Sequence, residues 1–241
     1  MSRLGFRGVG VAYTVIDWAE MWGDQPAPSD NLLRGPDHAS IYGYQDVLRI
    51  VRGLGLPPHW QYAVPSARSM VGNCPAGWFG VYTEYWVMGF KFPIDPLLCA
   101  LYRRLNCSVG RLSPSVIMHA SCLRLACKRL KIEPTYGLFR KFYKIKDPTR
   151  RSDCLSIKRR DKRPEGFVYG SPKLKKTWFE RFFYVKPTPG EWASEFVAEP
   201  TEWKKGGTVG YESDLGHYAE LNDEYEACMH QKFNLYDGGV V

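Results

Sequence analysis

The sequence lacks the short motifs by which many enzymes bind nucleotides or build a nucleophile. It contains no CxxC pair, no GxGxxG, no GxxxxGK[ST] and no GxSxG. Each of these patterns places backbone amides, thiolates or a serine where a particular chemistry needs them. The glycine pair in GVGVAY, residues 8–13, is without the third glycine of a dinucleotide loop. We interpret it as flexible backbone, and we expect no nucleotide cofactor.

Carboxylates are scarce in the middle of the chain. Between residues 85 and 146 only Asp95 and Glu133 occur, and each precedes a proline at a predicted helix start, where an acidic side chain stabilises the helix N-terminus. A metal-dependent DNA-processing enzyme needs clustered carboxylates that hold two metal ions. The sequence therefore predicts no catalytic residues, and we expect a protein that is not an enzyme.

The seven cysteines are odd in number and irregularly spaced, which favours free thiols in a reducing compartment over a disulfide framework. The closest approach to a metal set is His119, Cys122 and Cys127 on one predicted helix. At about 3.6 residues per turn, Cys127 lies about 140° around that helix from Cys122. Buried thiols are the favoured interpretation over zinc, so the sequence predicts neither a metal nor another cofactor.

Long apolar runs are also missing. No stretch approaches the roughly 20 apolar residues of a membrane helix. The run at residues 9–16 is short and ends at Asp17, so we do not interpret it as a signal peptide. The sequence predicts a soluble protein with no membrane partner.

Apolar material sufficient for a core is present, since 44% of residues are apolar and 15% are aromatic. Proline follows a capping or acidic residue at 95–96, 113–114 and 133–134, and apolar side chains recur after each at helical spacing. Three such helices bury their apolar stripes against one another. We therefore predict an α+β fold that is predominantly α-helical, with a compact helical core, a small β element and flexible termini.

The predicted organisation has three parts. Residues 1–40, rich in Gly, Pro and Asp, form a loose lead-in, and residues 187–241 form an acidic, partly flexible tail. The domain between them, residues 41–186, divides into a helical core at 41–146, a basic insert at 147–165 that we interpret as an exposed loop, and a β element at 166–186.

Charge is distributed unevenly along the chain. Residues 1–95 carry a net charge of −1, residues 96–186 carry +17, and residues 187–241 carry −8. A basic run in the middle could neutralise several phosphates or act as a nuclear-localisation signal; a solvated loop is the alternative. The candidate residues of this run are Arg150, Arg151, Lys158, Arg159, Arg160, Lys162 and Arg163.

Aromatic side chains follow the basic run. They are Trp178, Phe179, Phe182, Phe183 and Tyr184. Such side chains could stack on the bases of a single strand, or they could close a small sheet onto the helices, which is the interpretation we favour.

An ordered series of short motifs runs through the middle of the chain. The series is GFKFPIDP at 89–96, LSPS at 112–115, IEP at 132–134, LFRKFY at 138–143, and Trp178 followed by FYV at 183–185. In this order the motifs resemble the gypsy-type transposon domain of plant genomes, often labelled transposase-like, over roughly residues 44–186. The resemblance implies an origin in plant long-terminal-repeat retroelements and supplies no catalytic residues.

The residues and the resemblance together predict a retroelement-derived, non-enzymatic protein in the nucleus, with the cytoplasm as the alternative location. The basic run at 150–163 would attach to DNA or RNA without sequence preference. A second hypothesis is a protein-interaction scaffold whose basic loop meets the acidic tail of its own or another chain. A third and less favoured one is a metal-dependent, DNA-processing transposase.

Overall fold

The computed structural model describes just over half of the chain. The described residues are 12–17, 40–66, 71, 77–105, 107–146, 154–160, 168–169, 174, 177–188, 190–191 and 233–234. Of these, 43% are helical and about 22% lie in strands. The helices are α1 (Tyr44–Gly53), α2 (Glu84–Val87), α3 (Pro96–Leu105), α4 (Pro114–Leu130) and α5 (Tyr136–Phe142).

The strands fall into three groups. The main sheet contains β1 (Thr14–Asp17), β2 (Gln61–Val64), β3 (Phe79–Tyr82) and β7 (Phe182–Lys186). A two-stranded ribbon contains β4 (Tyr143–Lys146) and β5 (Ser156–Arg159). A short parallel pair contains β6 (Val168–Tyr169) and β8 (Phe233–Asn234).

The main sheet has the strand order β1-β2-β7-β3. Strands β1 and β2 are parallel, whereas β7 is antiparallel to both β2 and β3. Two parallel strands need a crossover connection, and α1 lies between them in the sequence and contacts both. In this order β7 lies between β2 and β3, although it comes last of the four strands in the sequence.

The edge strand β3 is covered by other parts of the chain. All four of its residues are buried, and the 3-10 turn Val109–Arg111 packs on it. At Gly80 an added Cβ would lie 2.3 Å from the carbonyl oxygen of Val71, and at Gly110 it would lie 2.8 Å from the Val71 Cγ2. Glycine is needed at both positions because the backbones approach each other so closely.

Aromatic side chains join the sheet to the helical part. Trp86 of α2 stacks on Phe183 of β7 with ring centroids 5.8 Å apart and an interplanar angle of 13°. Phe92 packs edge-on against Trp60, at 4.9 Å, and against Phe90, at 5.0 Å. Such contacts contribute to stability beyond the apolar area that they bury. The buried residues of the sheet and of the helices belong to one hydrophobic core.

Two of the three predicted helix starts are confirmed, at Pro96 and at Pro114. Helix α3 begins at Pro96, and the backbone amide of Leu97 donates to Asp95 Oδ1 at 2.9 Å. The second oxygen of the same carboxylate lies 3.0 Å from Arg124 Nε on α4. The third helix begins later than predicted, at Tyr136, because Thr135 and not Glu133 provides the cap.

The prediction of a predominantly helical fold was wrong: the chain is a mixed α+β protein. Its main sheet is four-stranded and mixed, and the predicted β element contributes only β7 to that sheet. Two strands of the main sheet, β2 and β3, come from residues assigned to the helical core, as does β4 of the ribbon, and β1 comes from the lead-in. The physical reason is that β2 is buried at three of its four residues and β3 at all four, so neither shows the apolar-polar alternation of a half-buried strand.

Candidate nucleic-acid interface

The ribbon β4–β5 carries the described part of the predicted basic run. Helix α5 ends at Phe142, and β4 starts at the next residue without a loop. Strand β5 returns antiparallel to it, with Lys144 opposite Lys158 and Lys146 opposite Ser156. The prediction of an exposed loop at 147–165 is thus wrong in part, since residues 156–159 form a strand.

The two faces of the ribbon differ in chemistry. Tyr143 and Ile145 are buried, whereas Lys144 and Lys146 between them are exposed. Because opposite residues of an antiparallel pair share a face, the outward face consists of four side chains. These are Lys144, Lys146, Ser156 and Lys158, which we call the lysine face. The inward face packs on α4.

Hydrogen bonds to backbone carbonyls hold the ribbon against the core. The Arg160 amide donates to the Phe142 carbonyl at 2.9 Å, and Arg160 Nε donates to the Arg140 carbonyl at 2.8 Å. On the other side of β5, the Leu155 amide donates to the Arg111 carbonyl at 2.7 Å. Leu155 itself is 2% exposed. The lysine face is therefore presented by a fixed support.

The described residues on and beside the ribbon carry charge of one sign. The described residues at 136–146 and 154–160 include seven Lys or Arg and no Asp or Glu. A cluster of positive charge of this kind attracts polyanions, and the attraction weakens as the salt concentration rises.

His119 of α4 supports the inward face. Its Nδ1 lies 2.9 Å from the Tyr143 hydroxyl oxygen, and the two rings are 4.8 Å apart. Burial of the ring, with a smaller contribution from the positive charge of Arg159, lowers the pKa of His119 to about 4. The imidazole is therefore neutral at pH 7 and adds no charge beneath the ribbon.

The residues considered for a metal site serve packing roles. His119 is engaged with Tyr143, and burial raises the pKa of the Cys122 thiol to about 12, which keeps it protonated and a poor ligand. Among the described residues no group of three His, Cys, Asp or Glu side chains could hold a metal ion. Cys122 and Cys127 are reduced thiols, and both are fully buried.

The predicted basic run is only partly placed. Lys158 and Arg159 lie on β5 and Arg160 directly follows it, with Lys158 on the lysine face. The other four candidates, Arg150, Arg151, Lys162 and Arg163, lie outside the described residues. Lys144 and Lys146 were not among the predicted nucleic-acid-binding residues. The alternation of apolar and basic residues in YKIK, residues 143–146, is nevertheless typical of a strand.

The aromatic side chains after the basic run pack into the core, as favoured from the sequence. Phe182, Phe183 and Tyr184 are at most 1% exposed within β7, and Trp178 packs edge-on against Tyr82 at 4.8 Å. Rings held in this way offer no stacking platform to bases.

Comparison with known proteins adds no relative. No protein-family description, curated protein or solved structure matches this chain. The resemblance to the gypsy-type transposon domain thus stays a prediction. No helix among the described residues is long and apolar enough to cross a bilayer.

Proposed function

We propose that this protein is a non-enzymatic nucleic-acid-binding protein whose lysine face contacts phosphates. The observation that carries the proposal is the placement of Lys144 directly opposite Lys158 on an exposed surface. Like charges in opposite positions of two strands destabilise the pair. Lys146 adds a third ammonium group to the same exposed face, and this concentration of positive charge favours a ligand with several negative charges.

The spacing of the three ammonium groups suits a row of phosphates. Opposite side chains of an antiparallel pair start about 5 Å apart, and Lys144 and Lys146 start about 7 Å apart along one strand. Lysine is a compact, strongly hydrated point charge that binds phosphate without demanding one geometry. Its phosphate contacts alone should therefore let the lysine face bind nucleic acid with little dependence on base sequence.

The test is a salt titration of binding to duplex DNA, single-stranded DNA and RNA. We compare the intact chain with Lys144→Gln/Lys146→Gln/Lys158→Gln. Loss of about three phosphate contacts should reduce the slope of log K against log salt by about 2 to 3. The matched control is Lys91→Gln/Lys128→Gln/Lys131→Gln, which removes the same charge from exposed positions off the ribbon.

The two variants separate the possible outcomes. A flattened slope in the ribbon variant and a much smaller change in the control would support binding through the lysine face. Equal losses in both variants would contradict it, because net charge alone would then explain the binding. No binding of the intact chain at low salt would reject the proposal and leave the scaffold hypothesis. The retroelement origin and the nuclear location stay predictions on which none of these results depends.

A further inference from the structure

We propose that the lysine face lies in the major groove of duplex DNA and there contacts guanine base edges. The inference rests on the proposed function and narrows its ligand. It goes beyond phosphate attachment, because it gives the same side chains a second role in distinguishing base pairs.

The shape of the ribbon is the first argument. The major groove of B-DNA is about 12 Å wide and admits a two-stranded β ribbon. Strands β4 and β5 are about 4.8 Å apart, and their inward face is held by α4 and the Arg160 contacts. Only the outward face can meet the floor of the groove. Each strand has four residues, which limits the contact to a few base pairs.

The chemistry of the lysine face is the second argument. Three of its four side chains are lysines, which only donate hydrogen bonds, and the fourth, Ser156, can donate. Guanine presents two acceptors, O6 and N7, in the major groove, and lysine is one of its commonest partners. Adenine presents one acceptor beside a donor amino group, which three lysines would not match. G·C pairs should therefore be preferred.

The alternatives among nucleic acids fit the structure less well. Single strands are held largely by stacking on aromatic side chains, and the rings at 182–184 are buried in the sheet. On the lysine face itself there is no aromatic residue. Double-stranded RNA has a deep and narrow major groove that side chains cannot read. B-form duplex DNA is the form whose accessible groove matches the ribbon.

The experiment uses the full chain and a G·C-rich DNA duplex in which guanine is replaced by 7-deazaguanine. This change removes the N7 acceptor and leaves the phosphates and the minor groove in place. We expect binding to weaken about three- to tenfold, less than loss of a complete bidentate contact would cause. A·T-rich DNA, double-stranded RNA and single-stranded DNA of equal length should also bind more weakly than the G·C-rich duplex.

A variant of unchanged charge sharpens the test. Ser156→Lys/Lys158→Ser moves one lysine from the position opposite Lys144 to the position opposite Lys146. Because phosphate binding depends mainly on charge, the salt slope should change little, while the preference for G·C pairs should shift or fall. Lys→Gln changes at all three lysines should lower the affinity and its salt slope and remove the preference for G·C pairs.

The results distinguish failure of this inference from failure of the proposed function. Equal affinity for the normal and the 7-deazaguanine duplex would overturn groove contact. Binding to double-stranded RNA as tight as to DNA would also overturn it. With either of these two outcomes, a reduced slope of log K against log salt in the triple lysine variant would still support phosphate attachment. Absence of binding to every nucleic acid would overturn both proposals.

Discussion

The four-stranded sheet and the two-stranded ribbon are built from strands of similar length but differ in what their faces meet. Strand β3 is buried at all four positions, whereas β4 alternates strictly between buried and exposed residues. The aromatic side chains of the sheet pack in the core, whereas the ribbon packs on the core with one face and exposes lysines on the other. The difference teaches that strand length says little about role, while the pattern of burial says much.

The largest effect should come from the inner strand of the sheet. Phe183→Ala removes a fully buried ring that stacks on Trp86, and we expect the free energy of unfolding to fall by about 3–5 kcal/mol. Chemical denaturation monitored by circular dichroism measures it. Phe179→Ala is the control, since that ring is only half-buried. Equal losses would remove the distinction between sheet core and surface.

A smaller effect should follow from crowding at the sheet edge. Gly80→Ala places a Cβ 2.3 Å from the Val71 carbonyl oxygen, and the required backbone shift should cost about 1–3 kcal/mol. Gly53→Ala is the matched control because open space surrounds that position in α1. There we expect a gain of up to about 1 kcal/mol. Thermal unfolding of both variants decides whether β3 is as tightly covered as described.

The buried face of the ribbon should respond to pH. His119 has a folded-state pKa of about 4 against an ordinary value of 6.5, so the unfolded chain binds more protons between these values. Stability therefore falls as pH decreases from 6.5 toward 4. We expect a loss on the order of 1–2 kcal/mol after allowing for partial exposure of the ring. His119→Gln should flatten this part of the stability profile; an unchanged profile would contradict the assignment.

The smallest effect on stability belongs to the exposed face. Lys158→Glu replaces a repulsive pair with an attractive one opposite Lys144, and we expect a gain of about 0.2–1 kcal/mol. Nucleic-acid affinity should fall in the same variant. A variant that is more stable but binds less would show that the lysines serve binding at the expense of the fold. A loss of stability would contradict the placement of these two side chains.

The helices could be predicted because their signals are local. Asp95 before Pro96 and Ser113 before Pro114 mark the starts of α3 and α4 within a few residues, and the structure confirms both. Periodicity alone does not decide between helix and strand for the aromatic stretch WFGVYTEYWVMGF at 78–90. The stretch contains both, since β3 ends at Tyr82 and α2 starts at Glu84.

The sheet and half of the candidate site could not be predicted in the same way. Residues 14–17 pair with residues 61–64, and residues 182–186 pair with two earlier strands; such distant partners leave no mark in local periodicity. Lys144 fell within the predicted helical core at 41–146, because α5 runs into β4 without a turn signal. The basic residues of β5 were identified from charge alone, and a run of charged residues does not indicate which side chains share a face.

The inner position of β7 also has a consequence for synthesis of the chain. While the ribosome has made residues up to 181, β2 and β3 have no partner between them, since β7 separates them in the finished sheet. Their open backbone edges are templates for association with other chains. We therefore expect the nascent protein to be prone to association through these edges until residue 186 has left the exit tunnel and β7 can complete the main sheet.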